Sequence, residues 1–331
     1  MIYYIAEVGL SHDGSLGIAH SYIDALSGSG INAIKFQMHL ADFESSVHEE
    51  FRINFSYEDN TRFDYWKRTS FTFEQWKGLK DHCEKLKLDF IVSPFSIESC
   101  KWLNNLNVNK VKIGSGESTN GLMLDFISNF SEDIIFSTGL SDDSEIKSAY
   151  DLLNVKGKNI SILHCITSYP SKPNDWNLKR IKELSERFPD AEIGYSDHSG
   201  EIFSSLAAIT MGAKIIEFHV AFDKRIFGPD STSSLTIDEA KNLIKGGNKI
   251  YDSLNSPGKK NIINNNYKRI FGKTLSYNKD MYKGDKISFS DLETRKPEGM
   301  GVKANDYKEV VNKTLLTDVL GGQFIKKRDF K

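Results

Sequence analysis

Cysteine is scarce in this chain: three residues, Cys83, Cys100 and Cys165, among 331. So odd and sparse a set builds no disulfide framework and suits a reducing compartment, and a cytoplasmic location is expected. An excess of one charge is missing as well. The formal net charge is −2, which sets up no global field for nucleic acid or an anionic membrane, and neither partner is expected. Any anionic ligand has to be held by local basic groups. Long apolar runs are also wanting. The opening MIYYIAEVGL has no basic leader region and is too short for a signal core or a membrane span, so it reads as a first strand. With 39% hydrophobic and 27% charged residues, the chain is nevertheless too apolar to be disordered.

What is present is a regular alternation. Strand-like runs begin at Tyr3, Ala33, Asp89, Lys110, Asp133, Ile160, Glu192 and Lys214. Helix-period segments such as SLGIAHSYIDALSGSG and FTFEQWKGLKDHCEKLK lie between them. Strands alternating with helices argue for a parallel sheet covered by helices. Eight such units argue for a closed (β/α)8 TIM barrel, for which roughly 250 residues are usual. Thr72 and Thr236 stand where N-caps belong, each followed by Gln or Glu within a few residues, and Gly30 and Gly212 read as C′ glycines. The stretch from Leu40 to Ser70 has no clear period. A loop that long, after the second strand, is expected to be functional. Beyond Leu254 the pattern breaks into the polar, Asn-rich NSPGKKNIINNNYKR. The expected division is a barrel over 1–255, a linker over 256–270 and a small all-β domain over 271–331.

In such a barrel the C-terminal ends of the strands build the active site. Polar residues gather there in nearly every unit: Glu7; Lys35 and Gln37; Ser93; Lys112, Ser115 and Glu117; Ser137; His164, Thr167 and Tyr169; Ser196, Asp197 and His198; Glu217 and His219. Lys35 and Lys112 alternate with apolar neighbours inside buried strands, so each ammonium needs an anionic partner. Taken singly, each lysine is more simply the partner of a structural carboxylate. Taken together with Ser115, Ser137, Ser196 and the Gly114/Gly116 turn, they make a pocket for phosphate and carboxylate. His198 and His219 end adjacent strands, about 4.8 Å apart, and both imidazoles can reach one metal ion with a coordination position left open. The other six histidines show no such pairing, and His20, His48 and His82 read as surface residues. Glu117, after a Gly-Ser-Gly turn, suits a general acid or base, or a charge at the start of the next helix.

These motifs in this order resemble the sialic acid (N-acetylneuraminate) synthase family. IAEVGLSHDGS, IKFQ, SPFS, KIGSGE, FSTGL, HC-xxx-YP, YSDHS, EFH and GPD follow one another, and KGDKISFSDLETRKPEGMGV resembles the antifreeze-protein-like (SAF) domain that ends these proteins. The resemblance implies a metal-dependent condensation of phosphoenolpyruvate with an open-chain aldose, such as N-acetylmannosamine, to give a nonulosonic acid and phosphate. It implies that Lys35, Lys112, Ser115, Ser137, Thr167 and Ser196 hold phosphoenolpyruvate. His198 and His219 would bind a divalent ion, Mn2+ or Mg2+. Glu7, Gln37, Ser93, Tyr169 and Asp230 would grip the sugar, and Glu117 would manage protons. It further implies a domain-swapped homodimer in which an Arg of the appended domain reads the sugar's N-acyl group in a partner's site. Here Lys296 stands in that Arg position, with Arg295 before it. Lys offers a point charge in place of a planar fork, which leaves the aldose open. Ser11 replaces the family's Asn in the first loop, and the HC segment reads HCITS. Two other readings compete: a Schiff-base aldolase using Lys112 or Lys35, and a non-catalytic barrel that binds sugar phosphates.

Overall fold

The computed structural model describes residues 1–53, 55–154, 157–257 and 264–331. It divides into two compact units, Met1–Ser256 and Pro257–Lys331.

The first unit is a (β/α)8 barrel. Its strands are β1 (Tyr3–Gly9), β2 (Ala33–Met38), β3 (Asp89–Pro94), β4 (Lys110–Ile113), β5 (Asp133–Ser137), β6 (Asn159–Cys165), β7 (Glu192–Asp197) and β8 (Ile215–Ala221). Each is parallel to its neighbour in chain order, and β8 pairs back onto β1 to close the ring. Around them run α1 (Leu16–Leu26), α2 (Ala41–Glu44), α3 (Arg62–Thr69), α4 (Phe73–Lys85), α5 (Ile97–Asn105), α6 (Gly121–Phe130), α7 (Asp143–Asn154), α8 (Lys179–Arg187), α9 (Phe203–Thr210) and α10 (Ile237–Asn255). A two-residue strand, β9 (Leu235–Thr236), extends the sheet beside β8.

Alternation along each strand decides which side chains fill the barrel and which meet the helices. Tyr4, Ala6, Val8, Ile34, Phe36, Met38, Val111, Ile113, Ile134, Phe136, Ile216 and Phe218 face outward and join the main helix–sheet core. Ile5, Ala33, Ile91, Ile135, Leu163 and Ile215 face inward and form a separate apolar plug. At Gly194 an added Cβ would meet Ile215 O and Leu163 Cδ2, both at 2.5 Å, so only glycine fits that place on the barrel wall.

The helix signals mostly hold. Thr72 with Gln75 and Thr236 with Glu239 form full capping boxes. Gly212 follows the C-cap Met211 with φ +104°, as a C′ residue does. Gly30 does not: α1 ends at Leu26 with Ser27 as its cap, so Gly28 (φ +76°) takes the C′ place. The stretch from Leu40 to Ser70 is not all loop, since it holds α2 and α3. The signal for α3 was there to be read: Thr61 and Asp64 form a capping box ahead of Tyr65, Trp66 and Thr69, which are buried.

In the second unit, residues 258–263 of the expected linker lie outside the described residues. Asn265–Phe271 is helix α11 where linker was expected, with Asn264 accepting from the Asn266 and Tyr267 amides. The rest is built on antiparallel β10 (Thr274–Tyr277) and β11 (Leu292–Arg295), isolated bridges and short 3-10 turns. Its core is Leu275, Tyr277, Ile287, Val302, Val310, Leu315, Val319 and Ile325 with Met281. Among the described residues no helix is long and apolar enough to cross a membrane.

Candidate active site

One step of two residues above the apolar plug, the barrel interior turns polar. Ile5 is succeeded by Glu7, Ala33 by Lys35, Ile91 by Ser93, Ile135 by Ser137, Leu163 by Cys165 and Ile215 by Glu217. Register locks these into one tier: Glu7 pairs with Lys35 on one side and His219 on the other, and Ser196 pairs with Glu217. Above the tier is a cavity of about 260 Å³. Its lining includes Glu7, Lys35, Gln37, Ser93, Lys112, Ser115, Ser137, Thr167, Tyr169, Ser196, His198, His219 and Asp230. The structure thus brings together thirteen of the residues given a binding or catalytic role from sequence, with Glu217, Gly114 and Gly116 beside them.

The two lysines are buried but differ in their partners. Lys35 Nζ lies 2.8 Å from Glu7 Oε2 and 3.8 Å from Glu217 Oε1, and donates to Ser93 Oγ at 3.3 Å. Lys112 Nζ donates to Ser137 Oγ (2.7 Å) and to Ile113 O (3.3 Å), while Glu217 Oε1 stands at 3.6 Å. Burial disfavours both charges. For Lys35 the pull of Glu217 and Glu7 prevails and its pKa is raised. For Lys112 burial wins, because the pull of Glu217 is partly cancelled by the Lys35 charge, and its pKa is lowered. Lys112 thus has hydroxyl and carbonyl hydrogen-bond partners, with the Glu217 carboxylate just beyond hydrogen-bond reach. Glu217, to which sequence reasoning assigned no role, holds the tier together. Burial acts to raise its carboxyl, but Lys112, Lys35 and the Ser196 hydroxyl (2.9 Å) outweigh that and hold it below the usual range. Its Oε2 is buried without a hydrogen-bond partner.

Hydroxyls and a turn complete this wall. Ser115 Oγ accepts from the Gly139 amide at 3.2 Å and lies 3.0 Å from Cys165 Sγ. A Cβ at Gly139 would collide with Thr167 Oγ1 and Cys165 Sγ, so the chain passes this close only as glycine.

The histidines sit opposite. His198 Nδ1 donates to Ile166 O at 2.8 Å, which leaves Nε2 with its lone pair, 3.3 Å from Tyr169 Oη and 3.5 Å from Ser196 Oγ. Burial foremost, then the neighbouring His219, pushes His198 down to about 3, so the ring is neutral. His219 Nδ1 is buried with no hydrogen-bond partner, and Asp230 Oδ2 is 3.9 Å away. The ring centroids are 5.4 Å apart. Among the described residues no group of three or more His, Cys, Asp or Glu is placed to hold a metal. A two-nitrogen donor set with the remaining positions open nonetheless fits here. The orphaned Nδ1 of His219 and the unprotonated Nε2 of a backbone-anchored His198, which has only long contacts to two hydroxyls, are what a divalent ion requires of imidazole ligands.

The segment after β2 roofs the cavity with Phe51, Arg52, Ile53, Phe55, Arg62, Tyr65 and Trp66. Arg52 was not legible from sequence, because its partner is 178 residues away. Its guanidinium lies 3.9 Å over the Tyr169 ring and donates to Asp230 Oδ1 (2.6 Å) and Pro229 O (3.1 Å).

Three candidates fall elsewhere. Glu117, on the turn Ser115–Glu117, does not line the cavity. It accepts from Asn120 Nδ2 at 2.8 Å, and burial raises its carboxyl. Arg295 and Lys296 belong to the second unit, where Arg295 pairs with Glu293 and Lys296 Nζ stands 5.2 Å from the Phe271 ring centroid. The reading of the remaining histidines as unpaired is also corrected. The Nδ1 atoms of His20 and His82 are 2.8 Å apart, with His82 Nε2 bonded to Asp24, and neither ring is fully exposed.

Comparison with known proteins identifies the family. The sequence profile of the NeuB family matches residues 22–259. The chain is 34% identical over 319 residues to the N,N'-diacetyllegionaminic acid synthase of Campylobacter jejuni, covering 93% of this chain and 94% of that one. It is 31% identical over 329 residues to the protein of the same name from Legionella pneumophila, covering 97% and 92%. Among solved structures, the N-acetylneuraminic acid (sialic acid) synthetase of Leptospira borgpetersenii, in complex with citrate, superposes with a TM-score of 0.70 at 30% identity, covering 78% of this chain and 87% of that one.

Proposed function

Because the chain belongs to the NeuB family and is by that kinship a phosphoenolpyruvate-dependent sugar-acid synthase, we propose that its barrel condenses phosphoenolpyruvate with an open-chain, N-acylated aldose to give a nonulosonic acid and phosphate. The observation that carries this reading is Lys112: a buried lysine bonded to the Ser137 hydroxyl, whose nearby carboxylate, Glu217 at 3.6 Å, is shared with Lys35. An anionic substrate completes its charge balance, which an uncharged ligand cannot do.

In this reading Lys35, Lys112, Ser115, Ser137, Thr167 and Ser196 neutralise and orient the phosphate and carboxylate, so that C3 of the enol faces the aldehyde. Glu7, Gln37, Ser93, Tyr169 and Asp230 grip the sugar hydroxyls. His198 and His219 would hold a divalent ion, Mn2+ or Mg2+, which supplies Lewis-acid polarisation of the aldehyde oxygen when bound. New bond formation at C3 leaves C2 cationic. Water adds at C2, and carbon–oxygen cleavage then releases phosphate. Glu117 follows Ser115 and Gly116 of the cavity wall and would manage the protons once its carboxyl, raised by burial, turns inward from Asn120. The second unit acts as an antifreeze-like domain of a cytoplasmic, domain-swapped homodimer, where Arg295 or Lys296 approaches the N-acyl group of a partner's sugar. Sedimentation of a fully active monomer would contradict that arrangement.

The deciding experiment is phosphate release from phosphoenolpyruvate, with manganese and with chelator, across diacetamido sugars, N-acetylmannosamine and mannose. The two Campylobacter and Legionella relatives are named for a diacetylated product, which puts a diacetamido aldose first. Release that needs both metal and one aldose is expected; no release with any of them overturns the reading. One observation favours a second reading: the lowered pKa of Lys112 suits a Schiff-base nucleophile. Borohydride trapping with pyruvate is expected to label nothing, and a label on Lys112 would establish the aldolase.

Arg52 gives a further prediction. Arg52→Ala removes the brace across Tyr169 and Asp230. The aldose KM is expected to rise about ten-fold, with little change in melting temperature since the residue is largely at the surface. An unchanged KM in steady-state assays would show that the roof does not order the sugar pocket.

A further inference from the structure

Two buried polar groups, His39 and Glu44, have no part in the scheme above. His39, just after β2, is 5% exposed. Its ring lies flat between Trp66 of α3 (centroids 3.8 Å, planes 9° apart) and Phe95 (4.2 Å, 15°). Nδ1 is 2.7 Å from Glu44 Oε1 on α2, and Nε2 is 3.0 Å from Gln37 Oε1. Gln37 Nε2 in turn donates to Glu7 Oε1 at 2.7 Å, and Glu7 Oε2 holds Lys35. The line therefore runs Glu44–His39–Gln37–Glu7–Lys35, from the roof into the cavity.

Donor and acceptor chemistry fixes its polarity. Glu7, ion-paired with Lys35, only accepts, so the Gln37 amide turns its NH2 to Glu7 and its oxygen to His39. His39 must then carry a proton on Nε2, while the Glu44 carboxylate accepts the proton on Nδ1. We propose that Glu44 and His39 are positioning residues for the aldose: the clamped imidazole holds the Gln37 amide in the one orientation that satisfies Glu7 and leaves its second N–H for the substrate. The identity of that substrate rests on the synthase reading. A ring protonated on Nδ1 alone would set the Nε2 lone pair against the Gln37 oxygen. The amide would then flip and turn its oxygen against Glu7. The titratable groups facing His39 are Glu44 from α2, Glu117 from the turn after β4 and His12 from the loop after β1. Trp66 and Phe95 contribute only ring faces.

Glu44→Leu removes the acceptor that anchors the His39 ring at Nδ1. In the full-length variant the aldose KM is expected to rise roughly ten-fold, with kcat and the phosphoenolpyruvate KM unchanged. Glu44→Asp restores the wild-type aldose KM, whereas His39→Gln raises it. A fall in kcat or a rise in both KM values in Glu44→Leu would mean merely structural packing and overturns the proposal. A second readout needs no turnover. In 15N spectra of the wild-type protein, the His39 resonances, assigned by their absence in His39→Gln, are expected to show a protonated Nε2. An unprotonated Nε2 overturns the clamp. A protonated Nε2 in a protein that releases no phosphate with any aldose supports the clamp and counts against the synthase reading alone.

Discussion

His219→Ala is expected to lower phosphate release by about a hundred-fold or more, the scale on which loss of one preorganised electrostatic contact to the reacting oxygen acts, while leaving the fold intact. The fold should survive because His219 Nδ1 bonds to no protein group. Its aromatic neighbours stand at 5.4 Å (His198) and 6.1 Å (Tyr169) between centroids, and Asp230, 3.9 Å away, keeps its bond from Arg52. Truncation therefore strands no partner and breaks no ladder bond. Manganese titration followed by electron paramagnetic resonance provides the readout that does not depend on turnover: wild type is expected to bind the ion and the variant to lose it. Unaltered manganese affinity, or a variant that no longer folds, would assign His219 a structural role and remove the metal from the proposed scheme.

Glu217→Ala is expected to act on stability first. Glu217 Oε1 serves Ser196, Lys112 and Lys35 together, and all of them are buried. Removing it leaves Lys35 with Glu7 and strands Lys112 among hydroxyls. Breaking a buried pair in this way costs about 3–5 kcal/mol, which chemical denaturation would read directly. Phosphoenolpyruvate should raise the melting temperature of the variant more than that of wild type, because its anionic groups replace the lost carboxylate charge. The sign of the acid dependence follows from the depressed carboxyl. Glu217 is held below its unfolded value of about 4.3, so its stabilisation is fully present above that value and is lost as pH falls through the lowered one. Wild type should therefore lose stability on acidification more steeply than Glu217→Gln. Equal slopes, or a destabilisation near zero for Glu217→Ala, would mean that the lysines are neutral in the native state.

The site was legible where local chemistry speaks for itself. Lys35 and Lys112 interrupt apolar strands at the alternate positions that face the barrel interior, and a buried lysine there calls for an anionic partner, which for Lys35 is Glu7. His198 and His219 end adjacent strands, so strand spacing alone placed their rings together. Arg52 and His39 carried no such signal. Each looks ordinary within its own stretch of sequence and acquires meaning only from Asp230 and Tyr169 in one case, and from the Trp66–Phe95 stack in the other. Glu217 was visible at the end of its strand, yet its role depends on how two lysines divide one carboxylate. Helix α3 was missed for a different reason: eight residues are too few for a period to show, and its capping box was the sole cue.

By itself the sequence determined the barrel, its strand order and the polar tier at one end of it, because two-residue alternation, capping residues and turn glycines act over a few neighbours. Tertiary structure alone decided which charges meet. Closure of β8 onto β1 sets Glu7 opposite His219, and register across the ring sets Lys35 against Glu7 while leaving Lys112 to share Glu217 with it. Coulomb energy in a buried site depends on distances of a few ångströms, and those distances are fixed by ring closure between residues far apart in the chain.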